Sequence, residues 1–173
     1  MGTGTIIIIL IVVVVIIAVI QANLNSKKRN AAQQNLGINP KSFFNTGRYT
    51  CGHPDLDKPI EKTEMALKDG DIQIFSSGAD TVPIYQSKIP IDKIKNITIE
   101  DASMVQRRVT VGRMLAVGIF AFAWKKKKVD EISYLIIEWN DGKFDHETIF
   151  EFTEKGAVQK SNEARNKLIK IAR

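Results

Sequence analysis

The spacing of hydrophobic positions changes along this chain, and each change predicts a different element. From Ile6 to Ile20 the sequence IIIILIVVVVIIAVI is aliphatic at every position and carries no charge. With Thr3 to Thr5 in front and Gln21 and Ala22 behind, a helix of about 20 residues rises roughly 30 Å, one hydrocarbon thickness. A helix packed on a soluble core keeps a polar face, and this run has none, so residues 1–22 are expected to form a transmembrane anchor.

The polar stretch down to Gly37 suits a short helical continuation out of the membrane, closed by that glycine and punctuated by Asn39 and Pro40. Gly47, Gly52, Pro54 and Pro59 prolong the interruption. Residues 23–60 therefore read as juxtamembrane helix and linker, with the globular part, residues 61–173, starting between Tyr49 and Thr63.

After Thr63 the period becomes two. Met65 and Leu67 alternate with polar residues, Asp69 and Gly70 make a turn, and Ile72 and Ile74 alternate again, which predicts a β-hairpin. Val82 to Gln86 reads as a further strand. Ile89, Ile91, Ile94, Ile97 and Ile99 carry the pattern through IPIDKIKNITIE, and Val105, Val109 and Val111 continue it. Ile132 to Trp139 and Lys143 to Phe152 flank Asn140, Asp141 and Gly142, residue types that tolerate the positive φ of a tight turn, and form the clearest hairpin signal. At the end, Ala157, Ser161, Ala164, Leu168 and Ile171 recur at helical spacing, with Lys160, Arg165, Lys167 and Lys170 on other faces.

The expected fold is thus an N-terminal transmembrane helix followed by a mainly antiparallel β domain, a small barrel or bent sandwich closed by a C-terminal α-helix. No strand alternates with a long helix, which disfavours a parallel sheet. The IPIDKIKNITIE pair, the block RRVTVGRMLAVGIFAFAWKKKK, the strand EISYLIIEW and the terminal helix together make residues 60–173 resemble a bacterial membrane-anchored pleckstrin-homology-like domain. That resemblance implies a scaffold for docking lipids, peptides or proteins, usually without catalysis, and fold alone does not choose among them. The basic signature in the first hairpin of eukaryotic lipid-binding relatives is missing here: Lys68 stands beside Asp69 and Asp71.

Charge and cysteine content place the domain. Met1 to Thr5 carries no Lys or Arg, and no small-residue cleavage pattern follows the apolar run, so an uncleaved anchor is expected over a secretory signal. Lys27, Lys28 and Arg29 are the first charges after the span, which predicts an N-out, C-in single-pass protein of the cell membrane with a cytoplasmic domain. Cys51 is the only cysteine, so no intramolecular disulfide can form. The formal net charge of +6 favours acidic partners, and for a chain held at a bilayer the nearest is anionic lipid.

Met114 to Trp124 is an apolar run too short to span a bilayer, bracketed by Arg107, Arg108 and Arg113 before it and by Lys125, Lys126, Lys127 and Lys128 after it. Two readings compete. Either it is a buried core segment followed by a solvated lysine loop, or Phe120, Phe122 and Trp124 insert among headgroups while the flanking cations meet anionic phosphates. Nucleic acid is disfavoured, because the aromatic residues lie inside the apolar run and are not interleaved with the cations.

Catalytic chemistry finds little support. His53 and His146 fall in no nucleophile, zinc-protease or phosphate-loop pattern. Cys51, His53, Asp55 and Asp57 cluster in TCGHPDLD, but one Cys and one His make a poor tetrahedral metal set, and a turn fixed by Gly52 and Pro54 and capped by Asp explains them. His146, Glu138, Asp141 and Glu151 read as solvent-facing strand and turn positions. No catalytic, cofactor-binding or metal residue is expected. Two functions remain: a membrane-tethered, non-catalytic adaptor for a protein or peptide, and an anionic-lipid-responsive module acting through Arg107 to Lys128.

Overall fold

A computed structural model of the chain describes residues 3–77, 82–108, 131–153 and 155–172. The aliphatic run begins a single helix, α1 (Thr3–Asn35), that continues through the polar residues without a break. It is long and apolar enough to cross a membrane, and residues 6–28 are exposed, with no protein packed on them. Its end is closed by hydrogen bonds from Gly37 N to Gln34 O and Ile38 N to Gln33 O, the paired pattern that satisfies the last carbonyls of a helix.

The strands are β1 (Phe44–Cys51), β2 (Ile60–Lys68), β3 (Asp71–Ser77), β4 (Pro83–Pro90), β5 (Ile94–Glu100), β6 (Ser133–Asn140) and β7 (Asp145–Phe152). Among the described residues they form one antiparallel sheet in the order β4-β3-β2-β1-β7-β6-β5. The expected hairpins are present: β2 and β3 turn at Asp69 and Gly70, both at positive φ. β6 and β7 turn at Asp141 to Phe144, where Asp141 Oδ1 accepts from the backbone N–H groups of Lys143 and Phe144 at 2.7 Å. A short α2 (Ala102–Arg108) follows β5, and α3 (Ala157–Ile171) closes the chain.

One sheet face encloses the main core. Met65, Ile72, Ile74, Ile89, Ile97, Leu135, Ile137, Trp139 and Phe150 lie there, with α3 adding Ala157, Ala164 and Leu168, the helical spacing expected from the sequence. The sheet is strongly bent. β4 and β6 stand five places apart in the strand order, about 24 Å in a flat sheet. Yet His53 reaches Lys88 O of β4 at 3.1 Å while its ring lies 5.2 Å from that of Trp139 in β6. The hydrogen-bonded ladder nevertheless stays open, with β4 and β5 as its edges among the described residues, so the sheet is a bent one and not a closed barrel.

Among the described residues, part of each edge is occupied by contacts other than a neighbouring strand. On β5, Ile97 N–H donates to Asn96 Oδ1 at 2.9 Å and Ile97 O accepts from Arg165 Nε of α3 at 2.9 Å. On β4, Lys88 O is taken by His53.

Two elements differ from the pattern-based expectation. β1 lies within residues 23–60, the stretch that reads as linker, and occupies a central place between β2 and β7. Its inward positions include Thr46, whose Oγ1 lies 3.0 Å from Thr63 Oγ1, so a paired hydroxyl stands where the alternation rule looks for an aliphatic residue. The second difference is Val105, which continues a period-two series but sits in helix α2. Asp101 Oδ1 accepts from Ser103 N at 2.8 Å and Met104 N at 2.9 Å, starting the helix, and Val105 packs with Cys51, Tyr134, Ile136 and Ile149 on the outer face of β1, β6 and β7. Val109 and Val111 lie outside the described residues.

Candidate functional site

The basic and apolar block is only partly within reach. Arg107 and Arg108 end α2, which Val105 holds on the outer face of the sheet, so the block leaves from outside the main core. Arg113, Phe120, Phe122, Trp124, Lys125, Lys126, Lys127 and Lys128 lie outside the described residues.

The TCGHPDLD segment crosses from β1 into the connection before β2. Gly52, at φ +94°, passes so close to β7 that an added Cβ would stand 1.7 Å from Glu147 O. That approach turns His53 inward, where it is buried. Its hydrogen bonds select one tautomer: Nε2–H donates to Lys88 O, and Nδ1 accepts from Asp55 N at 3.2 Å. Ser87 Oγ lies 3.3 Å from His53 Nε2 and donates to Asp55 Oδ2 at 2.8 Å. These are the three side-chain types of a hydrolase triad, wired differently. The imidazole nitrogen beside the serine already carries the proton, and the serine proton points at the carboxylate, so His53 cannot act as its base. Asp55 thus spends its carboxylate on Ser87 within β4, and the His53 ring, where the sequence suggests an Asp side chain, accepts the backbone N–H in this turn.

Burial lowers the His53 pKa below its ordinary value, against the raising effects of Lys88 O and the Asp55 charge. In the unfolded chain the imidazole titrates near 6.5. Stability from neutral His53 is therefore complete above about pH 6.5 and is lost as pH falls from there through the lower folded value. Protonation also sets Nδ1–H against the Asp55 N–H donor. Urea unfolding of the full chain in detergent should show a midpoint that falls between pH 7 and pH 5, with the fall much reduced in His53→Gln. An equal fall in both would refute this role.

The other titratable groups nearby are committed too. His146 is half-buried where the sequence suggests exposure, with its ring 4.7 Å from Trp139 and Nε2 2.8 Å from Asp141 Oδ2. Hydrogen bonds from the Phe144 backbone, His146 and the Lys143 backbone hold the Asp141 carboxyl well below the usual carboxylate range. Glu151, also read as solvent-facing, is buried: it accepts from Tyr134 OH at 3.1 Å, with Arg48 Nη1 3.7 Å away. Burial, with the Glu147 charge, pushes the Cys51 thiol up to about 11, so little thiolate exists at neutral pH. Burial pushes the Tyr49 phenol up to about 12; its OH donates to Leu56 O and accepts from His53 N, both at 3.1 Å. Among the described residues no group of three or more His, Cys, Asp and Glu is placed to hold a metal.

A second set of contacts joins the apolar helix to the domain. Arg29 Nη2 is ion-paired with Glu64 Oε1, whose side chain is 13 % exposed. Gln33 is buried, and Ile38, Leu36 and Phe43 pack on Ala66 and Phe75 of the outer sheet face. The Phe43 and Phe75 ring centroids are 5.1 Å apart. Sequence patterning locates α1 but not these contacts, since Arg29 and Glu64 both look like ordinary surface charges.

No known protein-family model matches this chain, and no curated protein sequence matches it.

Proposed function

We propose that this chain is a single-pass, membrane-anchored, non-catalytic docking protein whose β domain is pleckstrin-homology-like and recruits a protein or peptide partner at the inner membrane surface. The observation that carries this reading is α1, which leaves its aliphatic stretch bare and runs unbroken into contact with the sheet. An uncovered aliphatic helix needs an apolar environment, and the length of this one matches a hydrocarbon layer. The strand order, ending in a helix packed on β5, β6, β1 and β7, supports the domain assignment. The committed hydrogen bonds of His53, Ser87 and Glu151 support a role without catalysis. Lys27, Lys28 and Arg29, directly after the span, support a cytoplasmic domain.

The second reading, anionic-lipid contact through Arg107 to Lys128, draws support from Val105, which places the start of that block on the outer sheet face. One experiment separates the two. The full chain in neutral lipid nanodiscs is screened against displayed peptides and, separately, against free anionic liposomes at low and moderate salt. Docking predicts saturable peptide enrichment over nanodiscs carrying the α1 peptide alone, unaffected by changing Lys125, Lys126, Lys127 and Lys128 to Ser. Salt-sensitive liposome capture lost in that variant favours the lipid reading, because screening weakens surface charge contacts. If neither ligand binds, the docking proposal fails.

A further inference from the structure

The path of α1 along the sheet determines which end of the domain faces the bilayer. Glu64, Ala66 and Lys68 alternate onto the outer face of β2, opposite Met65. Three contacts join the end of α1 and the residues just after it to this face: Glu64 pairs with Arg29, Ala66 packs with Ile38, and Lys68 Cε lies 3.8 Å from where a Cβ on Gly37 would stand. From Arg29 to Asn35, its last residue, α1 rises about 9 Å, and Gly37 lies just beyond. From Glu64 to Lys68 the strand rises about 14 Å. Arg29 at Glu64 and Gly37 at Lys68 follow the chain direction of β2, so the last turns of α1 run from the Glu64 end of the sheet toward its Lys68 end, across an outer face where α1 also meets β4.

The direction back toward the span is therefore the direction from Lys68 to Glu64 and beyond. β3 runs antiparallel to β2, so its C-terminal end and the start of β4 lie at the span side. The register places Glu64, Phe75 and Tyr85 in one row across three strands, with Ser76 and Ile84 in the next row outward. From Ala22, the last residue of the apolar segment, to Arg29 the helix rises about 10 Å. The Tyr85 row then stands about 10 Å from the hydrocarbon, and Ile84, one strand residue closer, about 7 Å. A headgroup layer is about 5 to 8 Å thick on each side. Ile84 and Tyr85 are 55 % and 48 % exposed, and Lys62 is exposed on β2, beyond Glu64 in the same direction. An aliphatic side chain, a tyrosine and a lysine suit that layer, where an aromatic ring meets acyl chains and an ammonium meets phosphate.

Resting on the anchored reading above, we propose that α1 is a rigid strut and that the span-side end of β2, β3 and β4, presented by Ile84 and Lys62 with Tyr85 at its outer margin, is seated in the lipid headgroups of the bilayer that α1 crosses. The opposite end, at Lys93 beyond β4, is held about 20 Å farther out. The Arg29–Glu64 pair fixes the alignment, because a mostly buried carboxylate without its cation is unfavourable.

The test uses the full chain reconstituted in phosphatidylcholine/phosphatidylglycerol vesicles. An environment-sensitive fluorophore is attached at Ile84→Cys or at Lys93→Cys; Cys51 is buried, and the unmodified chain serves as the labelling control. Vesicle flotation is read first, then quenching by a headgroup nitroxide lipid. The expected result is flotation of both variants with quenching several-fold stronger at 84 than at 93. Inserting four alanines after Asn25 lengthens the strut by about 6 Å and should bring quenching at 84 down toward that at 93. Failure to float overturns the anchored reading and the strut together. Flotation with equal quenching at both sites, or with quenching at 84 unchanged by the insertion, overturns the strut alone.

Discussion

Gly52→Ala is expected to abolish the native state of the domain at temperatures where the parent chain is fully folded. The added methyl group would stand 1.7 Å from Glu147 O and 2.8 Å from Glu147 C, and both are backbone atoms of β7. Relief requires β1 and β7 to separate where Cys51 pairs with Ile149, the junction between the two halves of the sheet. With φ at +94°, a non-glycine residue is strained even before the clash. The expected loss is about 3 kcal/mol or more, a large share of the roughly 5 to 15 kcal/mol that holds a domain folded. Gly142→Ala supplies the control: φ is +98°, but nothing lies within 4 Å of its added Cβ, so about 1 kcal/mol is expected. Thermal unfolding of both variants in detergent, followed by near-ultraviolet circular dichroism, checks this. Equal losses would mean that the close approach to Glu147 is not what selects glycine at position 52.

The second large effect concerns the anchor. Changing both Val12 and Val15 to Asp should move the chain from the membrane fraction to the aqueous one while leaving the β-sheet signal intact. Each Asp near the centre of a span costs about 2.5 to 3.5 kcal/mol on an insertion scale, whereas each aliphatic residue contributes only about 0.3 to 0.6 kcal/mol. Two substitutions thus offset most of what the aliphatic run supplies, a shift of about 10⁴-fold or more in partition. Alkaline extraction of membranes measures it. Protease treatment of sealed cells carrying the parent chain tests orientation in the same preparation, with the β domain expected to be protected until the cells are opened. A parent chain extracted as readily as the double variant would remove the membrane assignment altogether.

Several functional features were invisible to pattern reading for definite reasons. His53 looks like a loop residue because its neighbours are Gly52 and Pro54; it is buried because Gly52 allows the chain to graze β7. Its partners at Ser87 and Lys88 are more than thirty residues away. Glu151 fits a solvent-facing alternation, yet the outer face it occupies carries Tyr134 and Arg48, which satisfy its carboxylate. Of the predicted lipid-contacting residues, Arg107 and Arg108 are placed at the end of α2, and the remainder of that block lies outside the described residues.

Local order by itself determined the aliphatic span, the β2–β3 and β6–β7 hairpins, and the buried face of α3. In each, burial of a single face or of every face imposes a short, repeating period that neighbouring residues reveal together. Tertiary structure alone decided the central place of β1, the inward turn of His53, and the alignment of α1 with β2. Those depend on single contacts between residues far apart in the chain: Thr46 with Thr63, Gly52 with Glu147, and Arg29 with Glu64. A period records how much of a face is buried, but it carries no record of which distant residue buries it.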